Sequence, residues 1–137
     1  MKIRTGTLLL VVFSAFVVGS FLLGRKGTQP AASLVSWETS LSQAKAKAAA
    51  ENKLVLVDFY TDWCKWCKKL DAETFASPAV AEAIAASFVP VRLNAEKEGE
   101  GDASRLGVNA YPTVVFLDAK GNEVGRIPGY LGPEEFL

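Results

Sequence analysis

"DFYTDWCKWCKKLD", residues 58–71, holds both cysteines of a 137-residue chain within four positions, each directly after a tryptophan, and downstream of an aspartate in an apolar run. The run upstream, "KLVLVDFY" (53–60), is apolar on both parities, which predicts a strand covered on both faces. The residues downstream, "KKLDAETF" (68–75), read as helix. Two cysteines spaced i and i+3 at a helix start face the same way and lie within disulfide reach. The first meets the unpaired N–H groups of the helix start, and Lys65, Lys68 and Lys69 add positive charge. Cys64 is therefore the expected low-pKa nucleophile, and Cys67 the shielded partner that resolves a mixed disulfide.

Three other uses of such a pair compete. A purely structural disulfide across so small a loop restricts the unfolded chain little. Half of a zinc site needs two more thiolates or histidines, which only dimerisation could bring. A haem attachment needs histidine after the second cysteine, where Lys68 stands. Asp58 alternates with Leu54 and Leu56 on one face of the predicted strand. Buried there, its carboxyl would hold a proton more tightly than usual and could exchange it with Cys67. A water-exposed aspartate at the strand end is the competing reading.

Composition removes several classes of function. Lys plus Arg and Asp plus Glu both number 15, so nothing points to nucleic acid. There is no histidine, which excludes Ser-His-Asp and Cys-His catalysis and histidine metal sites. No cofactor and no metal are expected. The even balance hides an asymmetry: Lys2, Arg4, Arg25 and Lys26 flank the first apolar segment, and from Ser33 onward 11 basic face 15 acidic side chains.

Residues 5–24, "TGTLLLVVFSAFVVGSFLLG", carry no charge and are long enough to span a hydrocarbon core of roughly 30 Å as a helix. Residues 1–24 thus read as an N-terminal membrane anchor or a signal peptide, with the anchor preferred. Either way the remainder is expected outside the cytoplasm, in a periplasmic or equivalent compartment, tethered through residues 25–35. Residues 36–137 then form one domain.

Within it, Trp37, Leu41, Ala44 and Ala48 fall at helical spacing, predicting a helix over 36–52 with Ser36 as N-cap. Ser77-Pro78 starts a helix through "PAVAEAIAAS"; "FVPVRLN" is a second strand; "AEKEGEGD" reads as a solvated loop; "DASRLG" gives one or two helical turns. "TVVFLD" and "EVGRI" flank the turn "AKGN" as a hairpin, and a last helix begins at "GPEEFL". Helices between strands call for crossover connections, so the expectation is an α/β domain whose central mixed sheet is flanked by helices. Pro112 cannot donate a ladder bond and marks a turn or edge before the third strand. Trp37 reads as core. Trp63 and Trp66 read as an apolar rim that partners touch, although partial burial would give the same pattern.

"VDFYTDWCKWCK", then "AYPT", then "GNEVGRIPGY" resemble the thioredoxin superfamily across essentially residues 36–137, and with "ETFASPAV" most resemble the periplasmic C-terminal domain of the disulfide reductant DsbD and its single-domain relatives. The resemblance implies a thioredoxin-like fold in which Cys64 attacks, Cys67 resolves and Asp58 is the buried carboxylate. It makes Trp63 the aromatic before the motif and Pro112 a cis-proline facing the disulfide. Tyr111 and Thr113, flanking that proline, are implied to hold an extended substrate segment by backbone pairing. Two departures stand out. Lys65-Trp66 replaces the Gly-Pro of cytosolic thioredoxins, so their redox poise does not carry over. Leu137 also falls only a turn into a helix that the family continues. The implied activity is thiol–disulfide exchange, favouring reduction or electron relay to protein disulfides from a membrane donor. The alternatives are a non-catalytic binding module, a disulfide-introducing oxidase and a thiolate metal carrier.

Overall fold

The computed structural model describes residues 32–137. The expected apolar span at 5–24 and most of the expected tether lie outside them. Among the described residues no helix is long and apolar enough to cross a membrane. The described end of the tether is packed: Leu34 N–H donates to Phe75 O at 2.7 Å, and Val35 is buried.

Helix α1 is Leu41–Glu51, followed by β1 Leu54–Tyr60. Helix α2, Lys65–Lys69, runs directly into a π-turn at Leu70–Thr74. Then come α3 Pro78–Ser87, β2 Phe88–Asn94, α4 Glu100–Arg105, the hairpin β3 Thr113–Leu117 and β4 Glu123–Pro128, and α5 Pro133–Phe136. The sheet order is β2-β1-β3-β4. β1 runs parallel to β2 and antiparallel to β3, and β3 is antiparallel to β4.

β1 is apolar on both parities because it is central and covered twice. Val55, Val57 and Phe59 join Leu41, Ala44 and Ala48 of α1 and Val89, Val91 and Leu93 of β2 in one cluster. Leu56, on the opposite face, packs with Leu70, Phe75, Val80 and Ile84 in the other. Burying that much apolar surface on both sides of one strand is the main force that seats it at the centre.

Two expectations need correction. α1 begins at Leu41, with Ser40 as N-cap, and not at 36. The cause is a competing partner: Glu38 N–H donates to Pro90 O at 2.8 Å and its carbonyl accepts from Arg92 N at 3.0 Å, so this residue extends the outer edge of β2. Trp37 therefore leaves the helical stripe and packs edge-on against Phe75, with ring centroids 4.9 Å apart. Secondly, the α4 connection makes no parallel crossover. It carries the chain from β2, past β1, to β3 on β1's other side, antiparallel to it.

Candidate active site

β1 delivers the chain to the motif. A turn at Thr61–Trp63 follows, closed by Cys64 N–H on Thr61 O at 3.3 Å. Cys64 is the N-cap of α2 in extended backbone, and its Sγ accepts the N–H of Cys67 at 3.1 Å. The sulfur thus takes the place that a serine or aspartate oxygen usually holds at a helix start. The two cysteines form a disulfide, with Cα atoms 5.3 Å apart. Both are 3% exposed, whereas Trp63 is 65% and Trp66 56% exposed. In the disulfide state both cysteines are therefore covered, while the two tryptophans beside them are open. Lys65 and Lys68 stand exposed on the outer face of α2.

Trp63 is held on both sides. Its indole N–H donates to Glu96 Oε1 at 2.9 Å, and its ring meets Tyr111 edge-on at 6.2 Å between centroids. The segment carrying Glu96, expected as a solvated excursion, is instead fastened to the motif. Asn94 Nδ2 donates to Asp62 Oδ1 at 3.0 Å, and Lys97 Nζ lies 2.8 Å from Asp62 Oδ2. Gly99 lets this turn close: a Cβ there would lie 2.7 Å from Leu93 Cβ and 2.9 Å from Asn94 O. Gly99→Ala should consequently destabilise the domain by about 1–3 kcal/mol, through a forced backbone shift. Urea denaturation checks it; a change under about 0.5 kcal/mol would show that the turn yields freely.

The Tyr111-Pro112 bond is cis. Tyr111, Pro112, Trp66, Gly129 and Tyr130 line a cleft of about 310 Å³ beside the motif. Trp66 and Tyr130 form its tilted aromatic wall, 5.6 Å between centroids, with Lys69 Nζ 5.1 and 5.0 Å from the two rings. Pro112 O accepts from Gly129 N at 2.8 Å. Thr113 is placed differently from Tyr111. It is buried in the ladder between Phe59 and Pro128, with its hydroxyl donating to Ala110 O at 2.7 Å. Tyr111 lies outside the strands and on the cleft.

Asp58 is 1% exposed. Burial lifts its carboxyl from 3.8 to about 6, against the opposing pull of Arg92. Arg92 stands beside it in the β1–β2 register and donates from Nε and Nη2 to Oδ2 at 2.9 and 2.8 Å. The other oxygen, Oδ1, is buried with no hydrogen-bond partner among the described residues. Arg92 and Tyr130 were not singled out in the sequence. The available signal for Arg92 was a lone cation inside an apolar strand, but its registration against Asp58 exists only in the sheet. Tyr130 gave no such signal.

A disulfide at the first turn of a helix, reached from the central strand and bordered by a cis-proline loop, defines a thiol–disulfide oxidoreductase domain. The chain belongs to the thioredoxin-like domain family, whose profile matches residues 41–137. The thiol:disulfide interchange protein DsbD of Cronobacter sakazakii is 35% identical over 97 residues, covering 67% of this chain and 17% of that protein. The chain thus spans about a sixth of the length of such curated relatives. A thioredoxin from Thermus thermophilus superposes with a TM-score of 0.67 at 31% identity, covering 74% of this chain and 81% of that one. The C-terminal domain of Neisseria meningitidis DsbD, in its oxidised form, gives a TM-score of 0.60 at 26% identity, covering 74% and 93%.

Proposed function

We propose that this domain works outside the cytoplasm, held at a membrane by residues 5–24, and passes electrons from a membrane donor to disulfides of partner proteins. The observation that carries this reading is the Cys64–Cys67 disulfide at the helix start, beside the aromatic cleft. Likeness to a thiol:disulfide interchange protein supports exchange with protein partners, and the direction is this reading's own, taken from the motif resemblance of residues 57–68.

The steps balance without any further reagent. In the dithiol state the Cys64 thiolate attacks one sulfur of a partner disulfide. A Cys64–partner bond forms, the partner's S–S bond breaks, and one partner thiolate leaves. Cys67 then gives its proton to Asp58 and attacks Cys64 Sγ, so the internal disulfide forms and the second partner thiolate leaves. Two electrons have moved to the partner, and the released thiolates take up protons. The membrane donor restores the dithiol by the reverse exchange. Trp63, Trp66 and Tyr111 supply flat apolar surface for the partner, and the N–H of Cys67 stabilises the Cys64 thiolate as it now caps the sulfur. Lys65 and Lys68 add a positive field at the rim.

Reduced domain should reduce insulin disulfides, and Cys64→Ser should not. A wild-type domain with no activity above the dithiol reagent alone would favour a non-catalytic binding module. In cells, acid trapping followed by alkylation should find the domain mostly reduced. A mostly oxidised population would reverse the proposed direction.

A further inference from the structure

The cleft beside the disulfide is bordered by a cation that the exchange steps leave unused. Lys69 Nζ lies 5.1 Å from the Trp66 ring and 5.0 Å from the Tyr130 ring, and these two rings are the cleft's aromatic wall. Ring faces attract an ammonium without neutralising it. Among the described residues Lys69 forms no ion pair. The acid four positions on, Glu73, takes the Tyr130 hydroxyl instead. Lys69 is exposed, so its charge is left open to a partner.

The other side of the disulfide has the opposite sign. In the sheet order β2-β1-β3-β4 the motif follows β1, the segment bearing Glu96, Glu98 and Glu100 follows β2, and Tyr130 follows β4. Glu96 accepts from the Trp63 indole and Glu98 from Asn94 N–H at 2.8 Å, and neither bond cancels a negative charge. Lys97, the only basic residue of 94–100, is paired with Asp62. A partner crossing the site thus meets positive charge at the cleft and negative charge at the other flank.

We propose that the cleft is a specificity subsite for a partner segment that places an apolar side chain against Trp66 and Tyr130 and a carboxylate on Lys69. This rests on the reading of the domain as exchanging with protein disulfides, and adds which of them it prefers. The apolar walls seat the side chain whatever its neighbours. The cation sets apart those whose neighbour is an acid, and the acidic flank repels the same segment laid the other way round. An exposed pair of this kind is modest in strength, so it ranks partners and does not gate them.

Peptide disulfides test it. Each synthetic peptide carries one cysteine joined to thionitrobenzoate. Leucine with glutamate, or leucine with glutamine, stands directly before the cysteine in one set and directly after it in the other. The protein is the full chain carrying Cys67→Ser, reduced, in neutral detergent at low salt. The Cys64 thiolate attacks the peptide sulfur, a Cys64–peptide bond forms, the old S–S bond breaks, and coloured thionitrobenzoate leaves. The readout is the ratio of glutamate to glutamine rates within a set, in which any change in Cys64 reactivity cancels. In the set whose direction fits the cleft, the ratio should be about two to five, falling to about one in Lys69→Gln and lower still in Lys69→Glu. Salt at about 1 M should also bring it to about one. Lys120→Gln, which removes an exposed lysine in the β3–β4 turn, should leave it unchanged. A ratio of about one in both sets, or one that survives Lys69→Gln, overturns the inference while exchange itself stands. Release no faster than with Cys64→Ser added overturns the exchange reading, and this preference with it.

Discussion

Cys67→Ser should accumulate mixed disulfides with partner proteins, while Cys64→Ser accumulates almost none. In the first variant attack proceeds and resolution fails; in the second there is no attacking sulfur at the helix start. Turnover should fall in both by on the order of 10³-fold or more, because the two sulfurs act as a unit and neither alone completes a two-electron transfer. The geometry keeps both variants folded. A serine oxygen at position 64 is a favourable N-cap for α2, taking over the N–H of Cys67 that Sγ now accepts. The lost disulfide closes a loop of only three residues' separation, so it contributes little to stability. Non-reducing gels after acid quenching read the result. Equal trapping by both variants would mean that the roles are not divided as proposed.

The second large effect is at Asp58. Asp58→Asn removes the proton acceptor and should slow exchange by about 10²- to 10³-fold at neutral pH. The same substitution has a stability signature whose sign follows from burial. The folded carboxyl titrates near about 6 against an ordinary 3.8, so the folded state holds this proton more tightly than the unfolded chain does. Its contribution to stability is therefore fully present below pH 4, falls as pH rises to about 6, and stays lost above. Across that window the wild type should lose roughly 2–3 kcal/mol that the non-titrating variant does not. The neutral amide keeps an oxygen acceptor for the Arg92 guanidinium, so the variant's stability should stay flat across this window. At neutral pH the folded variant therefore remains available for kinetics. Denaturant unfolding from pH 4 to 7 checks this. Parallel stability curves for the two proteins would show that Asp58 does not titrate there, and a spared exchange rate would assign the carboxylate to structure alone.

The apolar cleft is less a matter of any single residue. Trp63 and Trp66 stay exposed although each has apolar neighbours, because Glu96 and the Tyr130 ring hold their edges at the surface. Tyr111 lies on the cleft outside the strands, whereas Thr113 sits within the sheet between Phe59 and Pro128.

What the sequence determined by itself is local or periodic. The two-sided apolar pattern of 53–60 set β1 at the centre. The i, i+3 spacing after it set the paired cysteines at a helix start. "Ser77-Pro78" marked the beginning of α3, and the polar turn "AKGN" marked the β3–β4 hairpin. Each of these signals is complete within about ten residues, since the physical cause, alternation, capping or turn chemistry, acts over that range. What tertiary structure alone decided are the partnerships between distant segments. Ser36 is as good a cap as Ser40, yet the helix waits until Leu41 because Glu38 finds a backbone partner on β2. The charged loop after β2 looked free, and is held by Trp63 and Asp62 from 32 to 35 positions away. Asp58 was legible as a buried acid, but its cation was not. Arg92 lies 34 residues on, and only the parallel register of β1 with β2, set by burial on both faces of the sheet, brings the two side by side.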